Sequence, residues 1–357
     1  MTALSGSASD LLRRCAPEAE RMGRLHPGQL ELIYGQGWFR MMVPRRYGGL
    51  ALPLPDVVRI EEAISRADGS AGWTVTLCSG AGWFAGFFPP PILSDLFSHP
   101  RMCIAGCGTP SGQAHAIAGG YRISGRWAYA SGAHHATAFT ASCTVWSDGR
   151  QLMTPQGEPL VRPFLFLREE VRVIEDWNPV GLVATGSLGF EVNALEVPAE
   201  RGFVIDSAAA ADEDPLYSFP FLPLAEATLA VNTSGMMLHF LDCCEMVFTE
   251  RIAKGRLSNA LSKEMMGALA RTGEALRTRR EEFFSALEES WETRKPASFR
   301  RVSRTSHELA KCVREGSDGL YPYGGLGAAR ADSEINRVWR DLHTAGQHPL
   351  LVFRLRH

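Results

Sequence analysis

The residues able to do chemistry are spread along the chain, and their spacing limits what they can do. His134 and His135 are adjacent, just after Ala130-Ser131-Gly132. Paired imidazoles can ligate a metal, but on a strand neighbouring side chains leave from opposite faces, so at most one faces any given site. The eight cysteines, Cys15, Cys78, Cys103, Cys107, Cys143, Cys243, Cys244 and Cys312, include no C-x-x-C pair and no Cys/His cluster with zinc spacing. They read as small buried thiols, reduced in a cytoplasmic protein, and no metal site is expected. Gly106-Cys107-Gly108-Thr109-Pro110-Ser111-Gly112 echoes a dinucleotide loop. Its third glycine comes one residue late, Pro110 interrupts it, and the segment that follows reads as strand, so a Rossmann site is rejected. The chain has no P-loop, no G-x-S-x-G elbow and no H-E-x-x-H.

The elements that must position these residues follow from composition and periodicity. The chain has 357 residues, 45% of them hydrophobic and 21% charged, with a net charge of −2. That length suits two or three domains of ~100–200 residues, and the near-neutral charge gives no electrostatic reason to expect a nucleic-acid partner. The first ten residues carry no basic stretch leading into an apolar run, so no secretory signal is expected. Residues 69–94 lack any charge but contain five glycines and end near Pro89-Pro90-Pro91. They read as a helix buried between domains rather than a membrane span.

Residues 8–100 are mainly helical in pattern, with a breaker-rich loop at Val43-Pro44-Arg45-Arg46-Tyr47-Gly48-Gly49. From residue 101 the pattern changes: 117–125 reads as a turn and then short alternation, and further strand-like runs follow at 138–146, 163–167, 171–174, 190–192 and 203–205. An Ala/Asp linker at 207–214 leads to long helical periods over 224–252, 257–287 and 303–313, which make a bundle. The fold class is therefore α+β and multidomain: an N-terminal helical domain (1–100), a middle β-domain (101–206) and a C-terminal helical bundle (207–357).

This order, with its local motifs, resembles the acyl-CoA dehydrogenase superfamily over nearly the whole chain. The resemblance lies in Gly37-Trp38 with the Val43–Gly49 loop, Asp68-Gly69-Ser70-Ala71-Gly72-Trp73, Gly120-Tyr121-Arg122-Ile123-Ser124-Gly125-Arg126-Trp127, Ala130-Ser131-Gly132, Asp176-Trp177 with Gly181-Leu182, and Thr185-Gly186-Ser187 with Val197-Pro198. The dehydrogenases place a carboxylate base after a Gly-Gly-x-Gly turn. Here the turn Gly324-Gly325-Leu326-Gly327 is followed by Ala328-Ala329-Arg330-Ala331-Asp332, so the base position holds Ala331 or Asp332 and never Glu. The segment Trp339-Arg340-Asp341-Leu342-His343-Thr344-Ala345-Gly346-Gln347-His348 instead looks like the flavin-dependent monooxygenase branch.

That resemblance implies an oxygenase component receiving reduced FMN or FADH2 from a separate flavin reductase. It implies use of molecular oxygen on a small aromatic or amine substrate, in a cytoplasmic homotetramer with no membrane or nucleic-acid partner. It casts His348 as the base beside the substrate and Ser131 as the acceptor for flavin N5–H, a neutral group that adds no charge to a dry site. Gly108, Thr109, Trp127, Ser131, Gly132, Gly324 and Gly325 would hold the flavin, and Trp83 and His135 would meet the substrate. Arg251, Arg256 and Arg271 are candidates for the flavin phosphate. Two alternatives accompany this reading: an FAD-dependent acyl-CoA dehydrogenase with Asp332 as base, and a non-catalytic flavin-binding subunit.

Overall fold

Side-chain caps start the N-terminal helices where the sequence supplies them. In α1 (Gly6–Met22) the Ser5 hydroxyl accepts from Ala8 N, and Gly23, in the left-handed region, ends the helix. After α2 (Pro27–Gly35) and α3 (Leu54–Ala67), Asp68 caps α4 (Gly69–Gly82) by accepting from Ala71 N at 3.1 Å. Nearly every residue of α4 is buried, which is why the helix carries no charge and shows no polar face. A Cβ on Gly72 would stand 2.0 Å from Ser65 Oγ, so α3 and α4 pack at a distance that only glycine permits. The uncharged stretch then continues as a 3₁₀ turn (Trp83–Phe87) and a Pro-led helix, α5 (Pro90–Ser98). No helix among the described residues is long and apolar enough to cross a membrane. The computed structural model describes residues 4–206, 210 and 214–352.

Seven strands follow: β1 (Ile104–Ile117), β2 (Gly120–Ala130), β3 (Ala138–Ser147), β4 (Arg150–Gln151), β5 (Val161–Leu167), β6 (Arg172–Ile174) and β7 (Leu188–Pro198). The sheet order is β4-β3-β1-β2-β7-β6, with β5 on β3. β1 and β3 are parallel, with a register shift between Cys107 and Gly112, while β1 and β2 form an antiparallel hairpin pairing Gln113 with Ser124. The turn and following strand expected over 117–125 are found as the end of β1, a turn at Gly119 (φ +81°) and the start of β2; glycine takes that left-handed conformation without strain. One strand expectation needs correction. Residues 203–205 form no strand: Phe203 is buried and its N–H bonds Pro163 O, next to a single bridge from Gly202 to Phe164.

The bundle is α6 (Phe221–Ala253), α7 (Asn259–Thr293), α8 (Pro296–Leu320), the short α9 (Gly325–Ala328), α10 (Glu334–Ala345) and α11 (Pro349–Val352). It continues the hydrophobic core of the N-terminal helices, whereas the sheet encloses a second core around Trp127, Phe139, Phe166 and Phe190. A buried ion pair fixes the first of these: Glu62 accepts from Arg280 Nη2 at 2.6 Å and from Ser234 Oγ at 2.6 Å, joining α3 to α7 and α6. Such a pair withstands burial only because hydrogen bonds satisfy it. Apart from Ala210 and Asp214, the expected 207–214 linker lies outside the described residues.

Candidate active site

The end of β2 and the turn after it bring the first group of residues together. Ser131 is buried there, and its hydroxyl is the end of a string: Ser131 Oγ lies 2.8 Å from Ser187 Oγ, which lies 2.7 Å from Thr185 Oγ1. Thr185 Oγ1 is also 2.8 Å from Leu182 O, a carbonyl that can only accept. The single hydrogen of Thr185 therefore goes to Leu182, that of Ser187 to Thr185, and that of Ser131 to Ser187. What Ser131 turns outward is lone pairs alone. The string makes it an acceptor.

Leu182 is held in turn by the bundle. With its backbone in the left-handed region (φ +54°), it donates N–H to Asp341 Oδ1 at 2.5 Å, and its carbonyl also accepts from Trp177 Nε1 at 3.1 Å. Gly181 N donates to Thr344 Oγ1 at 3.0 Å, and a Cβ on Gly181 would stand 2.1 Å from Arg340 O. Thus α10 grips the loop that orients the hydroxyl string. Burial pushes the Asp341 carboxyl up to about 7, against the lowering effect of the Leu182 hydrogen bond.

β1 bulges outward at Gly108, Thr109, Pro110 and Ser111, all exposed, and Ser111 Oγ donates to Arg126 O at 2.8 Å. A Cβ on Gly108 would touch nothing, and exposed Tyr129 stands against Trp177 at 6.1 Å. An exposed bulge, an aromatic pair and a hydroxyl that can only accept are the features that a planar ring system bearing an N–H donor, such as a reduced flavin, would use.

Helix α4 connects this turn to the second group. Cys78 Sγ donates to Ser131 O at 3.5 Å, and Trp73, five residues earlier on α4, meets the His348 ring edge-on at 5.9 Å. Five residues span about 7.5 Å of helix. His348 begins α11, where its Nδ1 accepts from Leu350 N at 3.3 Å. The ring is therefore a helix cap as well as a candidate catalytic group, and as found it carries its proton on Nε2. Burial lowers its pKa to about 4, so it is neutral at pH 7.

The other expected residues fall in several places. Gly132 (φ +80°) and His135 share the Ser131 turn, and His135 points inward while exposed His134 approaches Glu175 at 3.9 Å. Trp127 is a correction: it lies inside the β core between Phe166 and Phe190, with Nε1 donated to Ser142 O, so no ring face is left for a flavin. Trp83 is likewise sealed, against Phe87, Tyr217 and Phe221, with Nε1 on Leu216 O. Gly324 and Gly325 (φ +65°) form a turn packed on Arg251, which bonds Tyr323 O. No described contact within the chain joins that turn to Ser131. Asp332 is exposed and paired with Arg330 at 2.8 Å, which lowers its pKa, the opposite of what a proton-abstracting base requires. In the sequence Thr185, Ser187, Leu182 and Trp177 are only letters of motifs, and their tertiary contacts give them their roles.

No family model matches the chain. A pigment production hydroxylase of Rhodococcus sp. (strain ATCC 21145) is 29% identical, over 89% of this chain and 84% of that protein. An indole-3-acetate monooxygenase of Pseudomonas putida is 27% identical, over 94% of this chain and 86% of that protein. Among solved structures, a 3-HSA hydroxylase from Rhodococcus sp. RHA1 superposes with a TM-score of 0.89 at 22% identity, covering 97% of this chain and 92% of that one. The named relatives include oxygenase components of flavin-dependent monooxygenases, and some structural neighbours were solved with FADH2 or FMN. The fold of this chain is the acyl-CoA dehydrogenase-like one that these oxygenases share.

Proposed function

We propose that the chain is the oxygenase component of a two-component flavin-dependent monooxygenase. It takes reduced FMN or FADH2 from a separate reductase and hydroxylates a small aromatic or amine substrate with molecular oxygen. The observation that carries this reading is the one-way hydroxyl string, which leaves Ser131 Oγ a pure acceptor. An acceptor fits the N5–H that distinguishes reduced from oxidised flavin. Gly108, Thr109, Tyr129, Trp177 and Ser131 would hold the ring, and a flavin bound there supplies the activation of oxygen.

The protein's own contribution is positioning, dryness and one proton. Buried Ser131, Ser187 and Thr185 offer the N–H partner without a charge, and the packed α4 keeps water from behind the turn. His348 holds a hydrogen at Nε2 while Nδ1 caps α11. In that tautomer Nε2–H orients a substrate oxygen or nitrogen. To take a proton at Nε2, the ring must first carry its hydrogen on Nδ1 and give up the cap at Leu350. Trp73 walls the same space with an aromatic edge, which suits a planar substrate, as do the relatives named for resorcinol and indole-3-acetate. The cytoplasmic location rests on eight free cysteines. Assembly as a homotetramer accords with exposed apolar side chains on the bundle, Leu326 and Met246 among them.

An anaerobic titration with reduced FMN and FADH2, followed by oxygenated buffer containing ¹⁸O₂ and a panel of phenols, indoles and amines, tests this function. Preferential binding of reduced flavin and label in a hydroxylated product are expected. Tightly bound oxidised FAD that oxygen ignores once reduced would overturn it.

A further inference from the structure

We propose that Cys78, Cys103 and His135 form a binding site for one zinc ion, built where α4, the start of β1 and the turn after β2 meet. The two thiol sulfurs and an imidazole nitrogen lie within 4.8 Å of one another. His135 Nε2 is shut off from solvent and has no hydrogen-bond partner. The turn passes close to both: a Cβ on Gly132 would stand 2.8 Å from Cys78 Sγ and 3.1 Å from His135 Nε2, so glycine is what lets these two atoms lie against it. A buried nitrogen without a partner is unfavourable, and a ligated ion would satisfy it.

The donor set suits zinc. Two thiols and an imidazole form a borderline-soft ligand set. Binding displaces one proton from each thiol, so that two thiolates cancel the charge of Zn²⁺ and leave a neutral complex in a dry site. Copper(I) would leave a net negative charge there. A water would supply the fourth position, with Phe39 standing between His135 and a cleft at the surface. A surface cleft of about 250 Å³ is lined by Tyr34, Phe39 and Met102; Phe39 stacks on His135 at 5.3 Å and Met102 precedes Cys103. The second cluster of this kind, His239, Cys243 and Glu334, lacks this character because His239 Nε2 already bonds Glu334 at 3.0 Å. The bound ion would clamp the turn that carries Ser131. That consequence rests on the proposed monooxygenase function, whereas zinc binding itself does not.

Metal-free, reduced full-length protein should be titrated with Zn²⁺ against a chromophoric zinc indicator, with proton release recorded in parallel. The expected result is one zinc per chain with close to two protons released. Cys78→Ala, Cys103→Ala and His135→Ala should each weaken binding at least about 10-fold, and His239→Ala should not. X-ray absorption of the wild-type zinc complex needs no variant to fold, and should show two sulfurs near ~2.3 Å and a nitrogen near ~2.0 Å. No stoichiometric binding, binding unchanged in folded Cys103→Ala, or a shell of nitrogen and oxygen alone would each overturn the site. Since none of these readouts uses flavin or turnover, failure of the zinc site is distinct from failure of the oxygenase function.

Discussion

Ser131 gives its only hydroxyl hydrogen to Ser187 across 2.8 Å, because Thr185 has already committed its own to the Leu182 carbonyl. A serine at the end of such a string differs from a serine in water: it cannot turn over and donate without breaking the bond behind it. The direction of the string, rather than the presence of a serine, defines what the site can receive.

Thr185→Val keeps the side-chain shape and removes the anchor of the string. Ser187 and Ser131 then become free to reverse. Oxygen should still be consumed by the reduced-flavin complex, but hydroxylated product per oxygen should fall several-fold, the equivalent of one hydrogen bond of about 1 kcal/mol. Product and hydrogen peroxide assayed together check this, and a coupling ratio equal to wild type would show that the string has no directional role.

His348→Asn separates the cap from the imidazole. Asparagine is among the best helix caps and can still accept from Leu350 N. The melting temperature at pH 7 should therefore hold, while product formation falls by ~10²–10⁴-fold. The pH dependence should also change. Folded His348 titrates near about 4 and an unfolded histidine near ~6.5, so the unfolded chain binds the extra proton between those values. Wild-type stability is lost through this residue as pH falls from ~6.5 towards 4. In His348→Asn that part of the slope should vanish in melting curves recorded across the same range.

Asp341→Ala strips the Leu182 N–H of its acceptor while Gly181 remains pressed against Arg340. An unsatisfied buried amide costs about 1–3 kcal/mol. Denaturant unfolding should show that loss, together with poorer coupling of oxygen to product. Asp341→Asn retains an acceptor oxygen and should recover most of both. Equal coupling in the alanine and asparagine variants would mean that the loop does not transmit to Ser131.

Glu61→Gln tests a buried carboxyl that the proposed chemistry does not use. Glu61 Oε1 accepts from Ser79 Oγ at 2.9 Å, its Oε2 has no partner, and burial pushes its pKa up to about 8. The folded state therefore binds the proton more tightly than the unfolded chain. Its contribution is complete below ~4.5 and is lost as pH rises through about 8. Glutamine cannot ionise, so the variant should match wild type near pH 5 and exceed it near pH 9 by on the order of a few kcal/mol. Parallel melting curves at the two pH values decide it.

Much of the architecture was legible along the chain. The lack of charge over α4 marks a helix surrounded by protein, and the long unbroken periods of α6, α7 and α8 mark a bundle. Alternation located β3, β5 and β6, because a half-buried strand must alternate. It missed β1 as a continuous strand, since Gly106 to Gly112 reads as a loop until β3 supplies its hydrogen bonds.

The sequence by itself determined the element types, the bundle and the resemblance that singled out Ser131 and His348, because these depend on periods and motifs written locally. Tertiary structure decided what those residues are. Trp127 reads as a flavin wall until Phe166 and Phe190 close over it. Ser131 becomes an acceptor only through Thr185 and Ser187, from a different strand region, and that region is held by Asp341 of α10. Cys78, Cys103 and His135 show no ligand spacing along the chain and converge only in the fold. The physical reason is common to all three: hydrogen-bond direction, ring burial and ligand convergence are properties of groups brought together across long sequence separations, and no local pattern encodes them.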